Sequence, residues 1–270
     1  TPSPITTAPP TTAAPTIAPT TAQPPATTEP AAPVDVKVYF VRGERLMVEH
    51  REVVGPAVLR GALEALFAGP TAEEAAAGTA SAVPDGTELR GVDLDDGLAT
   101  VDLTSAFESG GGSLSMMARL AQLVFTTTQF PNVDRVEIWL DGVPVEALGG
   151  EGLVVDEPQT RAMMNREITG AVIIDEPAPG ATVSSPIRVT GEADVFEAQF
   201  PIEIWRDGEQ IGGLAPVTGG GMGTWGDFDV TIPIDVAPGP IQIVAYDAGG
   251  CGVGPECPEP IRTVVDVELS

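Results

Sequence analysis

Residues 34–70 read VDVKVYFVRGERLMVEHREVVGPAVLRGALEALFAGP. Two runs rich in β-branched and aromatic residues, Asp35–Val41 and Leu46–Val54, flank Arg42-Gly43-Glu44, and this predicts a hairpin of two strands. Pro56 suits a first helical position. Leu59, Ala62, Leu63, Leu66 and Phe67 then recur at spacings of three and four, until Gly69-Pro70 stops the run. A period of two that turns into a period of 3.6 within forty residues predicts strands backed by a helix.

The same alternation continues downstream. Thr71 and Glu74 form a T-x-x-E capping pattern for a short helix over Ala72–Ala77. Leu89, Val92 and Leu94, then Leu98, Val101 and Leu103, flank Asp95-Asp96-Gly97 as a second hairpin. Ser113 or Ser115 is the expected cap of a longer helix carrying Met117, Leu120, Leu123, Val124 and Thr127, which should end before Pro131. A third hairpin, Val133–Leu140 with Val143–Val145, turns at Asp141-Gly142. Residues 34–163 are therefore expected to form an α+β domain, with helices packed on a hairpin-rich sheet.

Residues 164–270 carry no long helical pattern. Expected strands are Ala171–Ile174, Ile187–Gly191, Ile202–Trp205, Gln210–Leu214, Phe228–Ile232, Ile241–Tyr246 and Thr263–Leu269, divided by Pro- and Gly-rich turns. About seven short strands in some hundred residues indicate an all-β immunoglobulin-like sandwich. Phe196, Phe200, Trp205 and Trp225 are read as sandwich packing. Trp225, set among glycines, is the expected exposed contact for a partner.

Residues 1–33 hold ten Pro, ten Thr and eight Ala with one charge, Glu29. Such a segment cannot bury enough apolar area to offset its ordering entropy, so it is read as a disordered tether biased to polyproline II. A Thr/Pro-rich stalk suits an exported protein and implies an export signal outside the sequence. The formal charge of −26 divides into −1 over 1–33, −12 over 34–163 and −13 over 164–270. Acidic surfaces on both domains repel phosphate backbones and anionic headgroups, which argues against nucleic acid and direct membrane binding. Solubility is the plain reading of that charge, and cation binding the alternative. Cys251 and Cys257 lie close together without neighbouring metal ligands, and a local disulfide is favoured over two free thiols.

The blocks Leu63–Thr71, Val83–Leu89, Leu98–Thr104, Leu120–Thr126 and Phe130–Val133, followed by Val136–Gly142, occur in one order. In these residues the first domain resembles the GerMN domain of sporulation and spore-germination proteins. In Pro177–Pro186, Val189–Gly191, Val195–Ala198, Gly226–Phe228 and Ile241–Tyr246 the second resembles the immunoglobulin-like module found behind GerMN domains. The resemblance implies a ring-building-motif-like fold for the first domain. It also implies an envelope lipoprotein or secreted protein, acting outside the cytoplasmic membrane through protein or cell-wall contacts. It supplies no catalytic residues. An N-terminal lipid anchor would be the route to the membrane, and a homo-oligomeric ring is the assembly that the fold analogy suggests.

The search for chemistry returns little. His50, the lone histidine, lies on an expected strand without a nucleophile motif and reads as a surface residue. Lys37, the lone lysine, is also on a strand. Gly111-Gly112-Ser113 is not a G-x-S-x-G elbow, and Gly219–Gly223 lacks a Walker lysine and a strand-to-helix setting. Asp93, Asp95 and Asp96 have no acidic residue at the twelfth loop position, where Thr104 stands, so they are read as an Asp-rich turn rather than an EF-hand. The expectation is a non-catalytic binding or scaffold protein without cofactor or metal. The alternative is a peptidoglycan- or carbohydrate-directed enzyme using paired carboxylates.

Overall fold

The computed structural model describes residues 32–150, 152–216, 218–249 and 259–270. All but the last two residues of the expected tether, and both cysteines, lie outside the described residues. Residues 31–270 form one compact unit.

In the first module β1 (Val34–Arg42) and β2 (Arg45–Val53) pair antiparallel. Gly43 and Glu44 both take positive φ, 54° and 68°, as a two-residue hairpin turn requires. Helix α1 (Val58–Ala68) has Ala57 as its N-cap, so Pro56 precedes the helix rather than opening it. Its buried Ala62, Leu63 and Leu66 are the residues whose spacing predicted it. Helix α2 (Ala72–Ala76) carries the Thr71–Glu74 capping box. Strands β3 (Leu89–Asp95) and β4 (Leu98–Leu103) form the second hairpin, with Asp96 and Gly97 at positive φ. Helix α3 (Ser113–Thr127) starts from Gly112, not from a serine cap. Strand β5 (Arg135–Leu140) pairs with β6 (Val143–Pro144), and the small ladder β7 (Ala147–Leu148) with β8 (Leu153–Val154) follows.

The expected single sheet is divided. β1-β2 stands as one sheet and β3-β4-β5-β6 as another. β4 and β5 run parallel, joined by a crossover through α3, as parallel neighbours require. The reason β1 does not join the larger sheet is on α3. Gln122 and Thr126 of α3, and Gln129 in the turn just past its end, meet the backbone at the open edge of β1. Gln122 Nε2 donates to the Tyr39 carbonyl at 3.0 Å, and the Tyr39 N–H donates to Thr126 Oγ1 at 3.1 Å. The Lys37 N–H donates to Gln129 Oε1 at 2.8 Å, and Gln129 Nε2 returns to the Lys37 carbonyl at 2.6 Å. A helix supplies what a neighbouring strand would have supplied, and the edge is closed.

The second module opens with a short helix not expected from sequence, α4 (Arg166–Thr169), capped by the Asn165 side chain. Strands β9 (Val172–Glu176), β10 (Thr182–Val183), β11 (Ile187–Ala193), β12 (Ile202–Arg206), β13 (Glu209–Leu214), β14 (Gly226–Ile232), β15 (Gly239–Tyr246) and β16 (Arg262–Leu269) follow. They build two sheets, β14-β11-β9 and β10-β16-β15-β12-β13. Val189, Phe200, Ile202, Ile204 and Ile243 fill the space between them. Every strand expected from the alternation is present, within a few residues, and β10 is additional. Met164, Ile168 and Ile173 pack into the core of the first module, so the two cores meet across the join.

Candidate functional site

The polar face of the first hairpin faces the second module. Asp35, Lys37 and Tyr39 alternate along β1, so period two puts them on one face. His50 stands opposite Lys37 in the β1–β2 register. From the second module come Asp175 on β9 and Glu192 on β11, and from the connection Arg161.

Glu192 is the centre of this seam. Its Oε1 accepts from Lys37 Nζ at 3.0 Å and from the Tyr39 hydroxyl at 2.9 Å, and its Oε2 accepts from Arg161 Nη1. Lys37 Nζ also reaches Asp175 Oδ2 at 3.0 Å. His50 lies between two carboxylates, with Nδ1 2.6 Å from Asp35 Oδ2 and Nε2 2.7 Å from Asp175 Oδ1. The Arg161 guanidinium lies over the Phe125 ring at 4.6 Å and also donates to the Phe125 carbonyl and to Thr128 Oγ1. Burying charges this closely costs desolvation, which their mutual attraction and full hydrogen bonding offset.

The titration shifts follow from the geometry. The hydrogen bond to Asp175, aided by Asp35 and opposed by burial, lifts His50 to about 9, so both ring nitrogens donate at neutral pH. Burial works against ionised Asp175, but His50 and Lys37 outweigh it and hold its carboxyl below the usual range. Burial likewise opposes Glu192, and Arg161 with Lys37 prevail and lower it. Burial also opposes charged Lys37, which Glu192 and Asp175 nonetheless raise. Burial, then the Glu192 charge, drives Tyr39 well above its ordinary value. A carboxylate held ionised in this way cannot donate a proton near neutrality, so Asp175 and Glu192 do not form a general-acid pair.

Trp225 corrects the sequence reading. The indole is half-buried and stands edge-on to Phe125 of α3, with ring centroids 5.0 Å apart, while Arg166 covers it at 5.7 Å. Its surroundings are glycine-rich because the chain passes close to itself there: a Cβ on Gly220 or Gly226 would lie 2.4 or 2.2 Å from backbone. Among the described residues the exposed aromatic is Phe196, at 40%. His50, read as a surface histidine, is exposed, and it also joins Asp35 of its own hairpin to Asp175 of the second module. The sequence placed Lys37 and His50 on strands but gave neither a partner; Arg161, Asp175 and Glu192 carried no local signal. Among the described residues no group of three or more His, Cys, Asp or Glu side chains is placed to hold a metal ion.

Residues 37–146 match the family described as sporulation and spore germination, Germane. Residues 171–250 match the immunoglobulin-like domain of bacterial spore germination, Gmad2. The chain is a Germane domain followed by a Gmad2 domain. No curated protein matches it. Similar solved structures include the tandem GerMN domains of the sporulation protein GerM from Bacillus subtilis, at 16% identity and TM-score 0.45 over 74% of this chain and 61% of that one. The first GerMN domain of the same protein is 20% identical with TM-score 0.40, over 47% of this chain and 98% of that one. A candidate lipoprotein from Clostridium perfringens is 22% identical with TM-score 0.37, over 49% of this chain and 90% of that one.

The Germane domain also carries an open cleft of about 550 Å³. Met116 and Met117 of α3 line it, together with the glycines Gly110, Gly111 and Gly112 of one segment and Gly149, Gly150 and Gly152 of another. Gly149 has φ +68°, and a Cβ there would come 2.5 Å from Met116 Cε, so the glycine makes room for the methionine. A shallower groove shares Met117, Leu153 and Val154 with the cleft and continues to Met163 and Met164. Val154 and Met163 are 62% and 44% exposed. Glu108 is the one ionisable side chain among the described residues lining the cleft.

Proposed function

We propose that this Germane–Gmad2 protein is a cell-envelope binding or scaffold protein, acting outside the cytoplasmic membrane through contacts with other envelope proteins or the cell wall. The observation that carries this reading is the Germane cleft. Methionine side chains adapt to irregular apolar partners, and the glycine segments expose backbone groups to a bound segment. Such a lining suits recognition of an apolar segment of a partner, and among the described residues Glu108 is its one titratable group. The charge-locked seam supports the same reading, because it holds the two modules as one surface. No helix among the described residues is long and apolar enough to cross a membrane.

The test is site-specific photo-crosslinking in cells from Met117, with Asp96 on the β3–β4 turn, which does not line the cleft, as the control position. The proposal expects adducts from Met117 with proteins or wall fragments of the envelope fraction, and their loss when Leu153→Arg places a charge on the cleft wall. Adducts confined to cytosolic proteins, or equal yields from both positions, would contradict it.

A further inference from the structure

A second cavity, of about 270 Å³, lies between β2 of the Germane domain and β9 and β16 of the Gmad2 domain. Arg42, Arg45 and Arg262 line it in a chain with only 13 Lys and Arg residues and a formal charge of −26. Arg42 and Arg45 are paired across the tip of the first hairpin, so one turn delivers both. Their anchoring is incomplete. Arg42 Nη2 donates to Thr79 Oγ1 at 2.9 Å, but Arg42 Nε and Arg45 Nη1 are buried with no hydrogen-bond partner among the described residues. Buried guanidinium N–H groups left unpaired cost free energy, and native structures normally give them an acceptor.

The carboxylate that lines the cavity, Asp175, is already engaged by Lys37 and His50. Arg262 reaches Glu203 only at 3.9 Å, while Glu203 is held by Tyr246 and Trp205 at 2.7 and 2.8 Å. The rest of the wall is mostly aliphatic, with Ile173, Ile174, Pro179 and Val264, and its two threonines, Thr169 and Thr263, already donate to the Gly170 and Val172 carbonyls. We infer that this inter-module cavity binds a small anion bearing a carboxylate and a short aliphatic body. Arg42 Nε and Arg45 Nη1, one from each guanidinium, offer a carboxylate two charged donors, and the cavity volume excludes large ligands. The ligand would touch both modules and so add to the clamp between them.

Isothermal titration of the full chain with isovalerate, with its neutral amide isovaleramide and with inorganic phosphate tests the assignment. The expected result is saturable 1:1 binding of isovalerate, at least tenfold weaker binding of the amide, and weakening as salt is raised. Arg45→Gln and, independently, Arg262→Gln should each weaken isovalerate binding about tenfold or more; the pair guards against one variant failing to fold. No saturable binding, equal binding of the amide, binding unchanged in both variants, or tighter binding of phosphate would each overturn the assignment to a carboxylate.

Discussion

Glu192 accepts hydrogen bonds from Lys37 and Tyr39 of β1 and from Arg161 of the connection, two segments more than a hundred residues apart. Glu192→Ala would leave two cations and a phenol buried without their shared acceptor. The expected loss is about 3–5 kcal/mol in urea unfolding, with Glu192→Gln losing less because it keeps one acceptor oxygen. His50 gives the pH dependence. Its folded-state value of about 9 lies above an unfolded value near 6.5, so its contribution is complete below about pH 6.5 and lost as pH rises through 9. Asp175 and Glu192 are lowered, so their contribution holds above their unfolded values and is lost as pH falls below about 4. The melting temperature of the wild type should therefore fall between pH 7 and 9.5, and His50→Ala should flatten that slope. An equal slope in the variant would assign the pH response to other groups. At this scale the sequence was a poor guide: a charge on a strand reads as solvated until its partner arrives from more than a hundred residues away, as Asp175 does for His50.

Strand β11 shows what an element demands of one position. A Cβ at Gly191 would lie 2.1 Å from the Ile173 carbonyl and 2.7 Å from the Phe228 ring, whereas at Gly212 on β13 the nearest atom is 3.8 Å away. Gly191→Ala should destabilise by about 1–3 kcal/mol, while Gly212→Ala should stay within about 0.5 kcal/mol. Equal effects of the two substitutions in thermal unfolding would contradict the close approach of β11 to β9. Elements were the most legible level. Alternation located the sandwich strands, and three- and four-residue spacing located α1 and α3, because each pattern reports one face turned to a core. The polar set Gln122, Thr126 and Gln129 was not legible, since polar residues on and just after a helix read as a solvent face. Here they serve the open edge of β1, and with them the split of the first module into separate sheets was hidden.

The molecule joins an acidic Germane domain to an acidic Gmad2 domain, a pairing that long-range repulsion alone would oppose. The seam resolves this by setting Lys37, His50 and Arg161 against Asp175 and Glu192, while Trp225 and Phe125 give the contact an aromatic centre. Trp225→Ala should cost about 2 kcal/mol or more, read by chemical denaturation, since a half-buried indole loses its packing against α3. Unchanged stability in that variant would remove the aromatic contact from the account. Domain order was readable from the succession of patterns; the join was not, because its residues are scattered over β1, β2, β9, β11 and the connection. Differential scanning calorimetry of the full chain at pH 6.5 tests the central claim that the two modules are clamped into one body. A single cooperative transition in the wild type, splitting into two in Glu192→Ala/Trp225→Ala, is the expected result. Two independent transitions in the wild type would contradict it.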